Sequence, residues 1–267
     1  DLSAEVMVDD DNIWIDNYQK SAVDAMVNIA KVYDYYKEVL NHESFDGKGM
    51  NINVMVHSPS EEKSATYKGA AWTFTSLFNR KYIRVGDFDG TSYAAALDVM
   101  AHEFTHGVQH HITGLLSEHQ SHALNEAFAD IMGNLIEHGY IYTDDDWLMG
   151  ESVDNGKYVV RSMSDPPSYG CYVHNGMCSR TCPNRYPDHM SKYKVGQGNQ
   201  HRNANIIDKA FYNMYTAING DKGSSGLSCR VFSRIWYNAL GSLSPNANFN
   251  DCRQAVIKAV EECKDYK

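Results

Sequence analysis

Cysteine is absent from the first 170 residues, and all six fall late, at Cys171, Cys178, Cys182, Cys229, Cys252 and Cys263. A miniprotein scaffold held together only by bridges spread through a short chain is therefore excluded. No apolar run approaches the roughly 20 residues needed to span a bilayer, so no membrane partner is expected. Positive charge is in short supply as well, with 24 Lys+Arg against 34 Asp+Glu and a formal charge of −10. Such a field repels phosphate backbones, which argues against a nucleic-acid partner. What is present is a 43% hydrophobic, 22% charged chain of 267 residues, the composition of a soluble globular protein of one large domain or two lobes.

The chain opens on Asp1 instead of Met, which predicts a processed product. An even number of cysteines fits an oxidising, secreted, extracellular destination and disulfide bonds; six reduced thiols or a thiolate metal site are the alternatives. No Cys-x-x-Cys pair with a second pair at zinc-ribbon distance occurs. If Phe249 to Cys263 is one helix, Cys252 and Cys263 stand about 16 Å apart along its axis. That is beyond the roughly 7 Å Cα limit of a disulfide.

Apolar periodicity predicts a helix over Ser21 to Leu40, and alternation predicts a strand over Asn51 to His57. Tyr82 to Val85 reads as a second strand and Gly86 to Gly90 as a turn. Helices are expected at Tyr93 to Thr113, Ser121 to His138, Ile206 to Asn219, Leu227 to Leu240 and Phe249 to Cys263. Between Asp144 and Gln200 the chain is rich in Gly, Pro, Asp and Tyr, a long surface excursion. The fold class expected is α+β, with an N-terminal mixed lobe over 1–97 and a mainly helical lobe over 98–267.

Ala101-His-Glu-Phe-Thr-His-Gly107 carries the chemistry. At about 100° per residue His102 and His106 share one helical face and can bind a single Zn²⁺, while Glu103 projects beside that face as a base for a metal-bound water. A third ligand is offered by Glu126 in Asn125-Glu-Ala-Phe-Ala-Asp130. Asp130 lies one turn further on, placed to accept a ring N–H from a zinc-bound histidine, and Asn125 could hold the other imidazole. A third histidine six residues after His106 is ruled out, because that position is Ile112. His110 and His111 then read as surface residues at the helix end.

Taken with Val8-Asp-Asp-Asp11, Ala22-Val-Asp-Ala25, Tyr33-Asp-Tyr-Tyr-Lys37, Gly114-Leu115, Asp146-Trp147, Gly150-Glu151, Arg161-Ser-Met-Ser-Asp-Pro166 and Asn248-Phe249, the sequence resembles the thermolysin family of secreted zinc metalloendopeptidases. The resemblance implies a two-lobed peptidase with one catalytic zinc on His102, His106 and Glu126, and Glu103 as the general base that becomes a general acid. It implies Arg161 as a donor to substrate backbone and His201 as the partner of the tetrahedral oxyanion. Val99, Val153 and Val160, with Tyr93, would line an apolar pocket for the residue after the scissile bond, and Ala70 and Trp72 would belong to the edge that pairs with extended peptide. Asp98, Glu137, Asp146 and Glu151 would bind one structural Ca²⁺; Asp9 and Asp11 are a weaker second candidate. Expected partners are peptide and protein substrates and the chain's own propeptide, the product being a zymogen-derived monomer.

Three positions depart from the family pattern. Ser117 stands where a Tyr is usual, Gly196 where an Asp would orient His201, and Gly69 where an Asn would bind substrate. A replacement donor could come from His119, His122 or Tyr169. By the same resemblance the N-terminal lobe lacks a first hairpin region and the chain stops one helix early, so Cys252 and Cys263 are expected to tie a foreshortened end to Cys229 and the loop cysteines. A zinc aminopeptidase is disfavoured, since no Gly-x-Met-Glu-Asn segment occurs. A catalytically weak, zinc-retaining binding protein is the other alternative.

Overall fold

α1 (Asn17–Leu40) buries Ala25, Ile29, Val32, Tyr36, Val39 and Leu40, an apolar stripe at three- to four-residue spacing. The computed structural model describes residues 5–58, 69–75, 80–88, 90–140, 146–153, 159–169, 185–196, 198–219 and 226–263. α1 begins ahead of the expected Ser21 because Gln19 Oε1 accepts the Asp16 N–H at 3.2 Å, half of a capping box. It ends where Asn41 turns left-handed at φ +52° and the His42 amide closes on the Tyr36 carbonyl at 3.0 Å.

Three strands form the main sheet in the order β1-β3-β2, from β1 (Val54–Met55), β2 (Ala70–Thr75) and β3 (Arg80–Val85). β1 runs parallel to β3, and β2 antiparallel to it with Trp72 opposite Ile83. The strand expected over Asn51 to His57 is thus only two residues long, and His57 leaves it at φ +51°. Across the expected turn, β4 (Asp87–Phe88) pairs with β5 (Thr91–Ser92) as a tight antiparallel hairpin.

The single helix expected from Tyr93 to Thr113 is broken. A 3₁₀ turn over Tyr93–Ala95 is followed by Ala96 in an extended conformation, and α2 spans Leu97–Ile112. The cause lies on α1: Asn28 Nδ2 donates to the Ala94 carbonyl at 2.8 Å and reaches that of Ala95 at 3.3 Å, taking acceptors that a continuous helix would use. α3 (His119–Tyr140) packs along α2, α4 (Gln200–Asn219) and α5 (Gly226–Gly241) pack on α3, and α6 (Phe249–Glu262) packs on α5. β6 (Leu148–Met149) pairs antiparallel with β7 (Arg161–Ser162). One contiguous apolar core joins α1, the sheet and the helices, with Phe104, Leu124, Phe128, Ile131, Phe211 and Trp236 inside it. No described helix is long and apolar enough to cross a membrane.

Cys171, Cys178 and Cys182 lie outside the described residues. Cys252 and Cys263 carry free thiols, which corrects the expected stapling of the C-terminal end. Packing and capping hold that end instead: Cys252, Ala255, Val256 and Ala259 are buried in the face of α6, and Asn248 Oδ1 caps the helix by accepting the Asn250 and Asp251 amides at 2.8 and 3.1 Å.

Candidate active site

α2 and α3 bring three ligand atoms together. His102 Nε2 and His106 Nε2 are 2.9 Å apart, and Glu126 Oε2 lies 3.5 and 3.7 Å from them. A tetrahedral ion with ligands at about 2.0–2.1 Å separates its donor atoms by about 3.3 Å, so the observed spacings bracket what zinc requires. Glu126 Oε2 is buried and lacks a well-aligned hydrogen bond, and two facing imidazole nitrogens can share only one proton. A cation would satisfy all three atoms together, and the residues present therefore fit zinc.

Asp130, one turn along α3 from Glu126, approaches His102 Nδ1 at 2.7 Å and accepts Arg161 Nε and Nη2 at 2.6 Å each. Burial pushes the Asp130 carboxyl up, but the charges of Arg161 and then His102 more than reverse this and hold it at about 2. A fixed carboxylate there keeps the His102 ring turned with Nε2 toward the metal position. Arg161, expected as a donor to substrate backbone, is buried and spends two donors on Asp130. Asn125 is engaged through its carbonyl, which accepts from Gln109 Nε2 at 2.8 Å. Among the described residues no hydrogen bond carries its side chain to His106.

Glu103 is buried, and its Oε2 accepts the Trp72 backbone N–H at 2.6 Å. Burial raises its pKa, an effect that the His102 charge and the Trp72 amide partly offset. Glu103 is thereby tied to β2, an outer strand of the main sheet. His110 and His111 also bind α2 to the sheet, the first with its ring 4.9 Å from that of Trp72 and the second with Nε2 2.7 Å from Lys81 Nζ. Their place at the helix end thus serves as a clamp.

Two more imidazoles approach Glu126. His201, in the first turn of α4, is half exposed with Nδ1 2.8 Å from Glu126 Oε2. His122, one turn before Glu126 on α3, places Nε2 3.7 Å from Oε1. The four-residue spacing of His122 and Glu126 is the signal for this contact. At the departures, Gly69 has φ +152° and Gly196 φ +116°, backbone that side chains rarely adopt.

Val99, Val153 and Val160 gather around Gly150. A Cβ on Gly150 would stand 2.9 Å from Val160 Cγ2 and 3.7 Å from Val99 Cγ2, and the Val153 amide donates to the Gly150 carbonyl at 3.0 Å. Ala70 sits opposite Val85 in the sheet. Asp98, Glu137 and Glu151 each place a carboxylate oxygen within 4.8 Å of the others. Burial raises Asp98 to about 6, Glu151 to about 8 and Glu137 to about 10, and the charge of Asp98 adds to the rise of the two glutamates. Three crowded acids, Asp98 and Glu137 buried and Glu151 half-buried, suit a hard cation. Asp146 is exposed, its Oδ1 accepting the Leu148 amide at 3.2 Å, and its charge acts on Glu137 and Glu151.

Comparison with known proteins follows the same lines. Residues 1–110 match the family described as thermolysin metallopeptidase, catalytic domain, and residues 113–267 its alpha-helical domain. A bacillolysin of Brevibacillus brevis is 34% identical over 96% of this chain and 44% of its own length. A thermolysin of Alicyclobacillus acidocaldarius subsp. acidocaldarius is 32% identical over 98% of this chain and 45% of its own. The chain thus spans less than half the length of these two curated relatives; for neutral protease NprE of Bacillus pumilus, 32% identical, the shares are 91% and 71%. The structure of a precursor of protealysin, a metalloproteinase from Serratia proteamaculans, superposes with a TM-score of 0.74 at 25% identity, covering 94% of this chain and 75% of that one.

Proposed function

The chain belongs to the thermolysin family of metallopeptidases, and from that premise we propose that it is a secreted zinc endopeptidase cleaving peptide bonds before large apolar residues. The observation that carries the reading is the convergence of His102, His106 and Glu126 beside a buried Glu103. Zinc bound there would acidify a water and polarise the scissile carbonyl.

The chain's own residues supply the rest. Glu103, raised in pKa by burial, accepts the proton of the attacking water and returns it to the leaving amine. Asp130, itself fixed by Arg161, orients His102. His201, beside Glu126 and half open to solvent, is the donor available to a developing oxyanion. β2, with Ala70 and Trp72, offers its strand to extended substrate, and the valines around Gly150 form an apolar receptor for the residue after the cleaved bond. A methylene in such a receptor is worth only about 1–3 kcal/mol, so the preference is broad. The lobes are divided near Leu97, one calcium would be held by Asp98, Glu137 and Glu151, and a propeptide accompanies the precursor.

The decisive assay uses casein and end-blocked peptides with and without a zinc chelator, beside Glu103→Ala. Cleavage of blocked peptides should vanish with the chelator and fall by about 10²–10⁴-fold in Glu103→Ala, which should still retain zinc. Activity confined to free N-termini, or a zinc-loaded chain with no turnover, would overturn the reading. Peptides with Leu after the scissile bond should be cut faster than those with Asp.

A further inference from the structure

Asp208 lies on α4 and is 1% exposed, and neither of its side-chain oxygens receives a donor among the described residues. It rests against Asp130. An ionised carboxylate in this place would be buried, without a donor, beside a second carboxylate, a combination that low-dielectric surroundings strongly disfavour. The acceptor count on Asp130 shows what is missing. Its Oδ1 faces His102 Nδ1 at 2.7 Å and Arg161 Nη2 at 2.6 Å, while Oδ2 takes Arg161 Nε at 2.6 Å. Each carboxylate oxygen offers two lone pairs, so Oδ2 has one acceptor position left. A protonated Asp208 owns the one donor that would fill it.

We propose that Asp208 is a neutral carboxylic acid whose O–H donates to Asp130 Oδ2, making it a positioning residue for the His102 imidazole. The charges then balance, one Asp130 carboxylate against one Arg161 guanidinium, with no second buried anion. Burial pushes the Asp208 carboxyl well above the usual carboxylate range and the charge of Asp130 adds to this, while Arg161 and His102 act the other way. Held from three directions, by His102, Arg161 and Asp208, the Asp130 carboxylate cannot rotate without breaking a buried contact. Sharing a proton also withdraws part of the negative charge that Asp130 presents to His102, which tempers the basicity of that metal ligand.

The consequence for the metal rests on the zinc reading above; the protonation of Asp208 does not. The test is an infrared difference spectrum, wild type minus Asp208→Asn, of the calcium-loaded protein at neutral pH. It should show the carbonyl stretch of a neutral carboxylic acid, and absence of that band would overturn the proposal. The second arm follows zinc release to an excess of chelator. Asp208→Asn, whose amide can donate to Asp130 in the same way, should release zinc within about twofold of wild type, and Asp208→Ala about tenfold faster. Release by Asp208→Ala at the wild-type rate, or tenfold faster release by Asp208→Asn, would overturn the positioning role. A chain that binds no zinc would sink the peptidase reading and the positioning role together, yet leave the infrared band to decide the state of Asp208.

Discussion

Gly196 shows how a single backbone angle governs what chemistry a position can take. With φ at +116°, it is in a region that costs a side-chain-bearing residue about 1–3 kcal/mol. Space is not the obstacle, since a Cβ there would meet nothing closer than Asn199 Nδ2 at 3.7 Å. Gly196→Asp, which restores the residue usual in the family, is therefore expected to lower the thermal midpoint without raising turnover; a faster enzyme of unchanged stability would refute this. The same scale explains why His102, His106 and Glu126 were readable as candidate ligands and Asp208 was not readable as a neighbour of Asp130. The first two follow from a four-residue interval on one helix and the third from a short motif on the next. Asp208 is an ordinary acid in its own segment, and only the approach of α4 to α3 brings it to Asp130.

Elements meet through close approaches that glycine permits. A Cβ on Gly107 of α2 would come 2.4 Å from Phe45 Cδ1 and 2.9 Å from Trp72 Nε1. Gly107→Ala should therefore push α2 off the sheet and destabilise by about 1–3 kcal/mol, read by chemical denaturation, with activity falling as the Trp72 amide leaves Glu103. No change in either would mean that the helix and the sheet are less tightly engaged than these distances say. At the far end, Asn248→Ala removes the α6 cap and should cost about 1 kcal/mol. A loss that small would show that buried packing, and not the cap alone, secures a helix whose cysteines are unbridged. Helix positions were visible from periodicity, but the break at Ala96 was not, because its cause is Asn28 on another helix.

For the molecule as a whole, the clustered acids Asp98, Glu137 and Glu151 link α2, α3 and the segment after β6. A cation among them would bind the folded chain and not the unfolded one, adding about 2.7 kcal/mol at a hundredfold excess over its dissociation constant. Calcium removal should accordingly lower the thermal midpoint by several degrees, at about 2–4 °C per kcal/mol, with zinc content little changed. Equal melting with and without calcium would show that these carboxylates hold no ion. The charge of −10 is thus partly a matter of occupancy, since three of the acids would sit on a divalent ion.

Interval and periodicity along the chain were enough to single out His102, Glu103 and His106 and to locate most of the helices, because each of these depends on residues within a few turns of one another, and a short motif added Glu126. Distances between segments belonged to the fold alone. Glu103 on the Trp72 amide, Arg161 turned onto Asp130, Asp146 exposed with its side chain on the Leu148 amide, and the unbridged Cys252 and Cys263 all follow from how helices and sheet pack. Packing is set by the summed burial of many side chains, and no local stretch of sequence contains that sum.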